Sequence, residues 1–254
     1  MELVWLYDSH IHLSDPEYAP YIGDVLSGMK SLQIRACCVS MDAASSLETV
    51  SLAEQSDLVL PFVGVHPECA KEGADGVAGV IEEHPGISGI GEIGIDPSFA
   101  SDDGESKGQV QVFESMLEIA ERMNLPVSIH SRRSLDAVLD IMTSYGGRAL
   151  LHWFDGNKKQ LRRAMEMGLF VSYGPVAIYA NDKQALLSRT DKSKILVETD
   201  GPVRFSRCFE SKPGQPSFIP SVVFCASQIL GKTFEETACL LEENTVSFLG
   251  GARV

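Results

Sequence analysis

A (β/α)8 barrel of the TIM type is the fold that this sequence predicts, and three observations predict it. Eight apolar runs of strand length alternate with segments of helical period. The length, 254 residues, suits one barrel as a single domain over residues 1–254. Polar side chains of metal-binding type recur where the apolar runs end, and barrel enzymes build their sites at that C-terminal rim.

The strands are expected near Leu3 to Asp8, Ile34 to Ser40, Val59 to His66, Ile87 to Ile95, Pro126 to His130, Arg148 to Phe154, Gly168 to Tyr173 and Lys194 to Asp200. Helical spacing places helices at Tyr21 to Met29, Ser45 to Ser56, Ala74 to Glu83, Gln109 to Asn124, Ser134 to Ser144, Lys158 to Met167 and Asp182 to Ser188, then at Pro220 to Leu230 and Phe234 to Phe248. Continuously apolar runs such as Ile-Arg-Ala-Cys-Cys-Val suit a parallel sheet covered on its outer face. A doubly wound open sheet would want a glycine-rich first turn, and none follows Asp8. Ser98 to Gly108, rich in Ser, Asp and Gly, reads as one exposed loop.

Composition narrows the function. With 44% hydrophobic and 22% charged residues and no apolar run near 20 residues, the chain reads as globular, with no membrane partner. It opens Met1-Glu2-Leu3-Val4 without a basic n-region, so a cytoplasmic location is expected. Six cysteines without Cys-x-x-Cys spacing read as reduced thiols. A net charge of −14 argues against broad electrostatic capture of nucleic acid, so any phosphate must be held locally. Nothing in the sequence points to a protein partner.

The site residues fall at one rim. His10 and His12 end the first strand, His66 the third, His130 the fifth, His152 the sixth and Asp200 the eighth, while Glu92 lies in the fourth. Two histidines two residues apart in extended backbone face the same side, which is how a strand presents two ligands together. Glu92 stands among Gly89, Gly91 and Gly94, and a lone carboxylate there needs a cation. Glu198, alternating with Asp200, reads as a structural carboxylate paired inside the barrel; His66 reads as a metal ligand or as a contact to a ligand or substrate. His84 lies at the opposite end and reads as a surface residue. The glycines from Gly86 to Gly94 fail as a phosphate loop because Glu92 interrupts them and no helix opens there, and no Gly-x-Ser-x-Gly elbow supports a serine triad.

Asp8-Ser9-His10-Ile11-His12-Leu13, Gly64-Val65-His66-Pro67, Gly91-Glu92-Ile93-Gly94-Ile95-Asp96, Gln109 before Phe113, Leu125 to Arg132, Leu151-His152-Trp153-Phe154-Asp155-Gly156 and Glu198-Thr199-Asp200 occur in this order. Together they resemble the TatD family of metal-dependent hydrolases, which is similar to other amidohydrolase-type barrels and includes DNases with exonuclease-like activity. The resemblance runs from about Tyr7 to Phe248. It implies two divalent ions: one held by His10, His12, Glu92 and Asp200, the other by Glu92, His130 and His152, with Glu92 bridging. It also implies that His66 and Arg132 contact substrate phosphate. The sequence departs from the family pattern at Pro97-Ser98-Phe99-Ala100, at Trp153 and Asp155, and at Gln215-Pro216, so the ligands are kept while parts of the substrate wall change.

The ligand types alone imply the chemistry. Two ions about 4 Å apart lower the pKa of a shared water toward about 7, and Asp200 is the expected general base, with Glu92 the shared ligand. Mixed histidine and carboxylate donors suit Zn, Mn, Fe or Ni, and Mg less well. Expected substrates are DNA ends, short oligonucleotides or small phosphodiesters, gripped locally, with Trp153 or Phe154 offering a face to one base and a shallow salt dependence. Asp155 and the acids Asp102, Asp103 and Glu105 would repel long DNA. Arg204 and Arg207 lie in Gly201 to Ser217, whose length and prolines suggest a segment folded over the rim. The alternative is an amidohydrolase-type enzyme for a small cyclic amide or lactone; the absence of lysine between Lys71 and Lys107, where such centres often carry a carboxylated lysine, favours the first reading. A non-catalytic barrel would not need six intact ligands.

Overall fold

The computed structural model describes residues 4–251. Its strands are β1 (Leu6–Ile11), β2 (Ile34–Cys38), β3 (Val59–Val63), β4 (Gly89–Gly94), β5 (Val127–His130), β6 (Ala149–Leu151), β7 (Phe170–Tyr173) and β8 (Ile195–Val197). Each is parallel to the next in chain order, so one eight-stranded sheet curls into a (β/α)8 TIM barrel. Just past β8 the seam back to β1 is joined by backbone bonds, from Asp200 N to the His10 carbonyl and from His12 N to the Gly201 carbonyl, both 2.9 Å.

The helices between strands are α1 (Ile22–Leu32), α2 (Ala43–Gln55), α3 (Asp75–Glu83), α4 (Asp103–Met123), α5 (Leu135–Ile141), α6 (Lys158–Glu166) and α7 (Asn181–Leu187); α8 (Ile219–Leu230) and α9 (Phe234–Leu249) follow β8. No helix of the described residues is long and apolar enough to cross a membrane.

Alternation along the strands divides the core in two. Leu151, Val171 and Val197 face the helices, whereas Leu150, Phe170 and Leu196 pack inside the barrel with Tyr7, Leu60 and Phe62. Phe248 of α9 completes this inner cluster, its ring 6.0 Å from Phe62 and 5.5 Å from Phe170. The barrel is therefore filled at this level, and polar groups gather at the other end of the strands.

Most boundaries differ from those expected by a few residues; β3, β6 and β8 stop at Val63, Leu151 and Val197, short of His66, His152 and Asp200, and three other differences bear on the site or its approach. β1 runs from Leu6 to Ile11, which puts His10 within the strand; Leu3 lies outside the described residues. α1 continues three residues beyond Met29 and stops where Gln33 turns left-handed. The expected loop from Ser98 to Gly108 contributes the first turns of α4 instead. Asp102 caps that helix by accepting from Glu105 N at 2.9 Å, and the acids Asp103 and Glu105 suit its N-terminal dipole well enough to offset Gly104 and Gly108.

Gly94 ties fold to site. Its φ is +149°, and a Cβ there would sit 2.0 Å from the His130 carbonyl oxygen. Gly94→Ala should therefore push β4 from β5 and displace His130. The expected loss is about 3 kcal/mol or more in denaturant unfolding, typical of severe backbone substitutions; an unchanged midpoint would contradict this account.

Candidate metal centre

The rim gathers every histidine expected there. His10 (in β1), His12 (just past it), His66 (past β3), Glu92 (in β4), His130 (ending β5), His152 (past β6) and Asp200 (past β8) converge. Ligand-capable atoms within 4.8 Å of one another form three overlapping groups: His10, His12 and Glu92; His10, His152 and Asp200; and His66, Glu92 and His130.

Glu92 stands at the centre, and its two oxygens face different partners. Oε2 lies 3.4 Å from His10 Nε2 and 3.1 Å from His12 Nε2, while Asp200 Oδ1 lies 3.4 and 3.6 Å from the same two nitrogens. These four separations, 3.1–3.6 Å, bring nitrogen and carboxylate donors from three strands within reach of one divalent ion. His10 Nε2 is buried without a hydrogen-bond partner, as a ligand nitrogen would be. The donor set fits a divalent ion.

Oε1 faces His130 Nδ1 and His152 Nε2, each at 2.7 Å, and His66 Nε2 at 3.8 Å. The first two separations are hydrogen-bond lengths. His10 and His152 stack with ring centroids 3.8 Å apart, which joins the two groups into one continuous set.

Neighbours decide which nitrogen of each ring is free. Ser128 Oγ lies 2.8 Å from His10 Nδ1, so a proton there leaves Nε2 bare toward Glu92 and Asp200. Asp96 Oδ2 lies 3.0 Å from His130 Nε2 and is itself fixed by Ser98, so His130 presents Nδ1. His66 is the reverse case. Its Nδ1 accepts from Glu68 N at 3.2 Å, and burial drives its pKa down to about 4, so the neutral ring carries its proton on Nε2 and points a donor at the site.

Charge crowding is severe. Burial raises the Asp200 carboxyl well above the usual range, and the charges of Glu92, Glu198 and Asp8 add to it. Burial likewise opposes charge on Glu92, but the surrounding histidines, His152 foremost, outweigh it and hold that carboxyl well below the ordinary value. Burial pushes Asp8 to about 7 even though it accepts from Thr199 N and Oγ1 across the seam. A cation among these carboxylates would relieve their mutual repulsion.

Glu198 behaves as the structural carboxylate expected. It accepts from Ser172 Oγ at 2.5 Å and from Trp153 N at 2.7 Å, and burial raises it to about 8. Its second bond anchors Trp153 in the left-handed region, φ 43°, with the indole stacked on Phe205 at 5.5 Å. Phe154, the other aromatic considered for a base, is buried and offers no face.

Outside the ligands a cleft of about 810 Å³ is bordered by His130, His152, Asp200, Trp153 and Arg132. Arg132 is exposed. Asp155, expected to repel phosphate, is ion-paired with Lys183, and Glu105 with Lys71 at 2.8 Å, so these acids oppose an anion less than their sequence positions imply. The segment after β8 folds over the rim: Tyr18 OH donates to the Gly214 carbonyl and Arg204 pairs with Glu17, which leaves Arg204 engaged in structure. Sequence reading missed the partners Ser128, Asp96, Phe205 and Lys183; the only signal was that Ser128 shares a strand face with His130, two residues on.

Residues 7–250 match a family described as TatD related DNase. Among curated relatives, the chain is 31% identical over 215 residues to Deoxyribonuclease TATDN3 of Homo sapiens, covering 78% of each chain. It is 27% identical over 248 residues to Uncharacterized metal-dependent hydrolase YabD of Bacillus subtilis (strain 168), covering 94% of this chain and 96% of the relative. The crystal structure of YJJV, a TatD homolog from Escherichia coli K12, superposes with a TM-score of 0.87 at 22% identity, covering 96% of this chain and 97% of that one, which shows the shared fold.

Removing the His10 partner tests the tautomer argument. Ser128→Ala should lower affinity for Zn²⁺ or Mn²⁺ about tenfold, as measured by chelator competition, because partners that orient a ligand histidine carry effects of this size. Unchanged affinity would mean that Ser128 does not orient the ring.

Proposed function

The chain belongs to the TatD family, whose members are metal-dependent hydrolases, and from that premise we propose that it cleaves phosphodiester bonds at DNA ends, in short oligonucleotides or in small phosphodiesters. The observation that carries the reading is the division of Glu92, Oε2 facing His10 and His12 while Oε1 faces His130 and His152. One carboxylate serving two nitrogen sets supports a dinuclear centre: His10, His12, Glu92 and Asp200 would hold one ion, and Glu92, His130 and His152 the other. Mixed nitrogen and carboxylate donors suit Zn, Mn, Fe or Ni.

Bound ions would acidify water and polarise the phosphoryl group. The chain's own residues do the rest. Asp200, whose buried carboxyl a bound cation would return to the ionised form, would act as general base. His66, whose Nε2 faces Glu92 at the centre, would donate to a phosphoryl oxygen as charge develops there. Arg132, exposed beyond His130, would pair with the phosphate. Trp153, braced by Phe205, would offer its other face to a terminal base. The cleft volume of about 810 Å³ suits one or two nucleotides and not a long duplex. The six free cysteines agree with a cytoplasmic setting.

Titration of the metal-free protein with Zn²⁺ or Mn²⁺ should show two ions per chain, and Glu92→Gln should weaken both about tenfold or more, since one ligand serves both. A single ion, or a second unaffected by the substitution, would refute the shared-ligand centre.

Steady-state kinetics on a dinucleotide and a short single strand separate chemistry from binding. Asp200→Asn should lower kcat by about 10³, because an amide accepts no proton, whereas Arg132→Ala should chiefly raise KM, by about tenfold. The same pattern of loss in both variants would contradict the assigned roles.

A further inference from the structure

Four cations beside the site lack acidic partners in a chain that carries 35 acids against 21 bases. Around the rim Lys71, Lys183, Arg204 and Lys212 are each ion-paired, with Glu105, Asp155, Glu17 and Glu210 respectively, while Arg207 is exposed and makes no ion pair among the described residues. Arg132 and Arg133, directly after β5, and Lys158 and Lys159, opening α6, are exposed and make no ion pair among the described residues. Exposed bases without an acidic partner occur elsewhere among the described residues, Arg207 and Lys107 among them, but these four lie together along one route leading from the metal centre.

Their placement is continuous with the metal centre. The cleft that begins at His130, His152 and Asp200 passes Arg132 and Arg133 and reaches Gln160 on α6. A second groove, about 640 Å³, borders it through Asp155 and Gln160 and carries Lys158, Lys159 and Lys183. The acids along this route outside the centre are Asp136, Asp155 and Asp182, and Asp155 is already paired with Lys183. Arg133 is held in the left-handed region, φ 56°, an uncommon conformation for arginine that turns the chain just past His130. α6 begins at the catalytic rim because it follows a strand, and Asn157 caps it by accepting from Lys159 N and Gln160 N, so its first turn is fixed in place.

We infer that Arg133, Lys158 and Lys159 extend the site into a short phosphate-binding arm, which takes the backbone of the retained part of a single strand while its end lies at the metal centre. The arm rests on the phosphodiester reading and adds a direction to it: the strand leaves past Arg132 and Arg133 toward α6. Two or three phosphates engaged along it give a measurable salt dependence without the long positive track that the net charge denies.

The test uses the metal-loaded protein and an end-labelled 12-nucleotide single strand whose terminal linkages are phosphorothioates, so that binding is read by anisotropy without cleavage. Lys158→Glu/Lys159→Glu should raise Kd at least about tenfold and reduce the slope of log Kd on log salt by about 1.4, two contacts at about 0.7 each. Lys71→Glu/Lys212→Glu imposes the same change of net charge elsewhere on the rim and should leave Kd within about twofold. Lys158→Arg/Lys159→Arg should bind like the parent. Equal weakening in the charge-matched control, or an unchanged Kd and slope in the first variant, would overturn the arm. Hydrolysis of an unmodified dinucleotide by the parent protein is read separately, and its failure would sink the phosphodiester reading while the binding data still decide on the arm.

Discussion

A carboxylate buried at the mouth of a barrel has to be compensated, and the upper half of this structure is arranged around compensating Glu92. Its side chain is almost wholly enclosed, and isolated charge in such surroundings costs several kcal/mol. Five histidines from four strands lie within 4 Å of its two oxygens. The small residues around it follow from the same requirement. Gly91 and Gly94 leave room for the backbone of β5 to approach, and Ser128, also small, meets Gly91 and reaches His10.

The histidines are not equivalent, although in sequence they look alike. A hydroxyl at Ser128, a carboxylate at Asp96 and a backbone amide at Glu68 each dictate which nitrogen of the adjacent ring carries hydrogen. At His130 burial is outweighed by Glu92 and Asp96, which raise its pKa so that a bound cation would have to displace the Nδ1 proton. The first of the three partners leaves a lone pair facing inward, and the third leaves a donor facing inward. That single difference separates His66 from the others more firmly than its position at a strand end does. Proton placement, and not residue type, divides nitrogens that can bind a cation from one that can stabilise an anion.

Much of this was legible in the sequence, for reasons that can be traced to particular residues. Period-2 alternation in Leu196-Val197-Glu198-Thr199-Asp200 places both carboxylates inward, and His-x-His at the end of an apolar run needs no tertiary information to suggest paired ligands. The partners were not legible because they are ordinary residues made special by long-range packing: Ser128 touches His10 across 118 positions, and Phe205 reaches Trp153 from the segment beyond β8. The helix start at Asp103 was hidden by composition, since glycines and acids that read as a loop are also what a capped, acid-rich first turn contains. Charge balance was misjudged at Asp155, because its partner Lys183 arrives from a later helix.

The closing seam has a consequence for how the protein comes into being. Asp8 is bound by Thr199, 191 positions later, and His10 and Asp200 join backbones at the same place. During synthesis at roughly 5–20 residues per second, the first histidines wait on the order of ten to forty seconds before their carboxylate counterpart leaves the ribosome. A nascent chain thus carries an incomplete donor set through nearly the whole of translation. The donor set is completed only when the last strand has docked, so a truncated or stalled product would present His10 and His12 without Asp200 beside them.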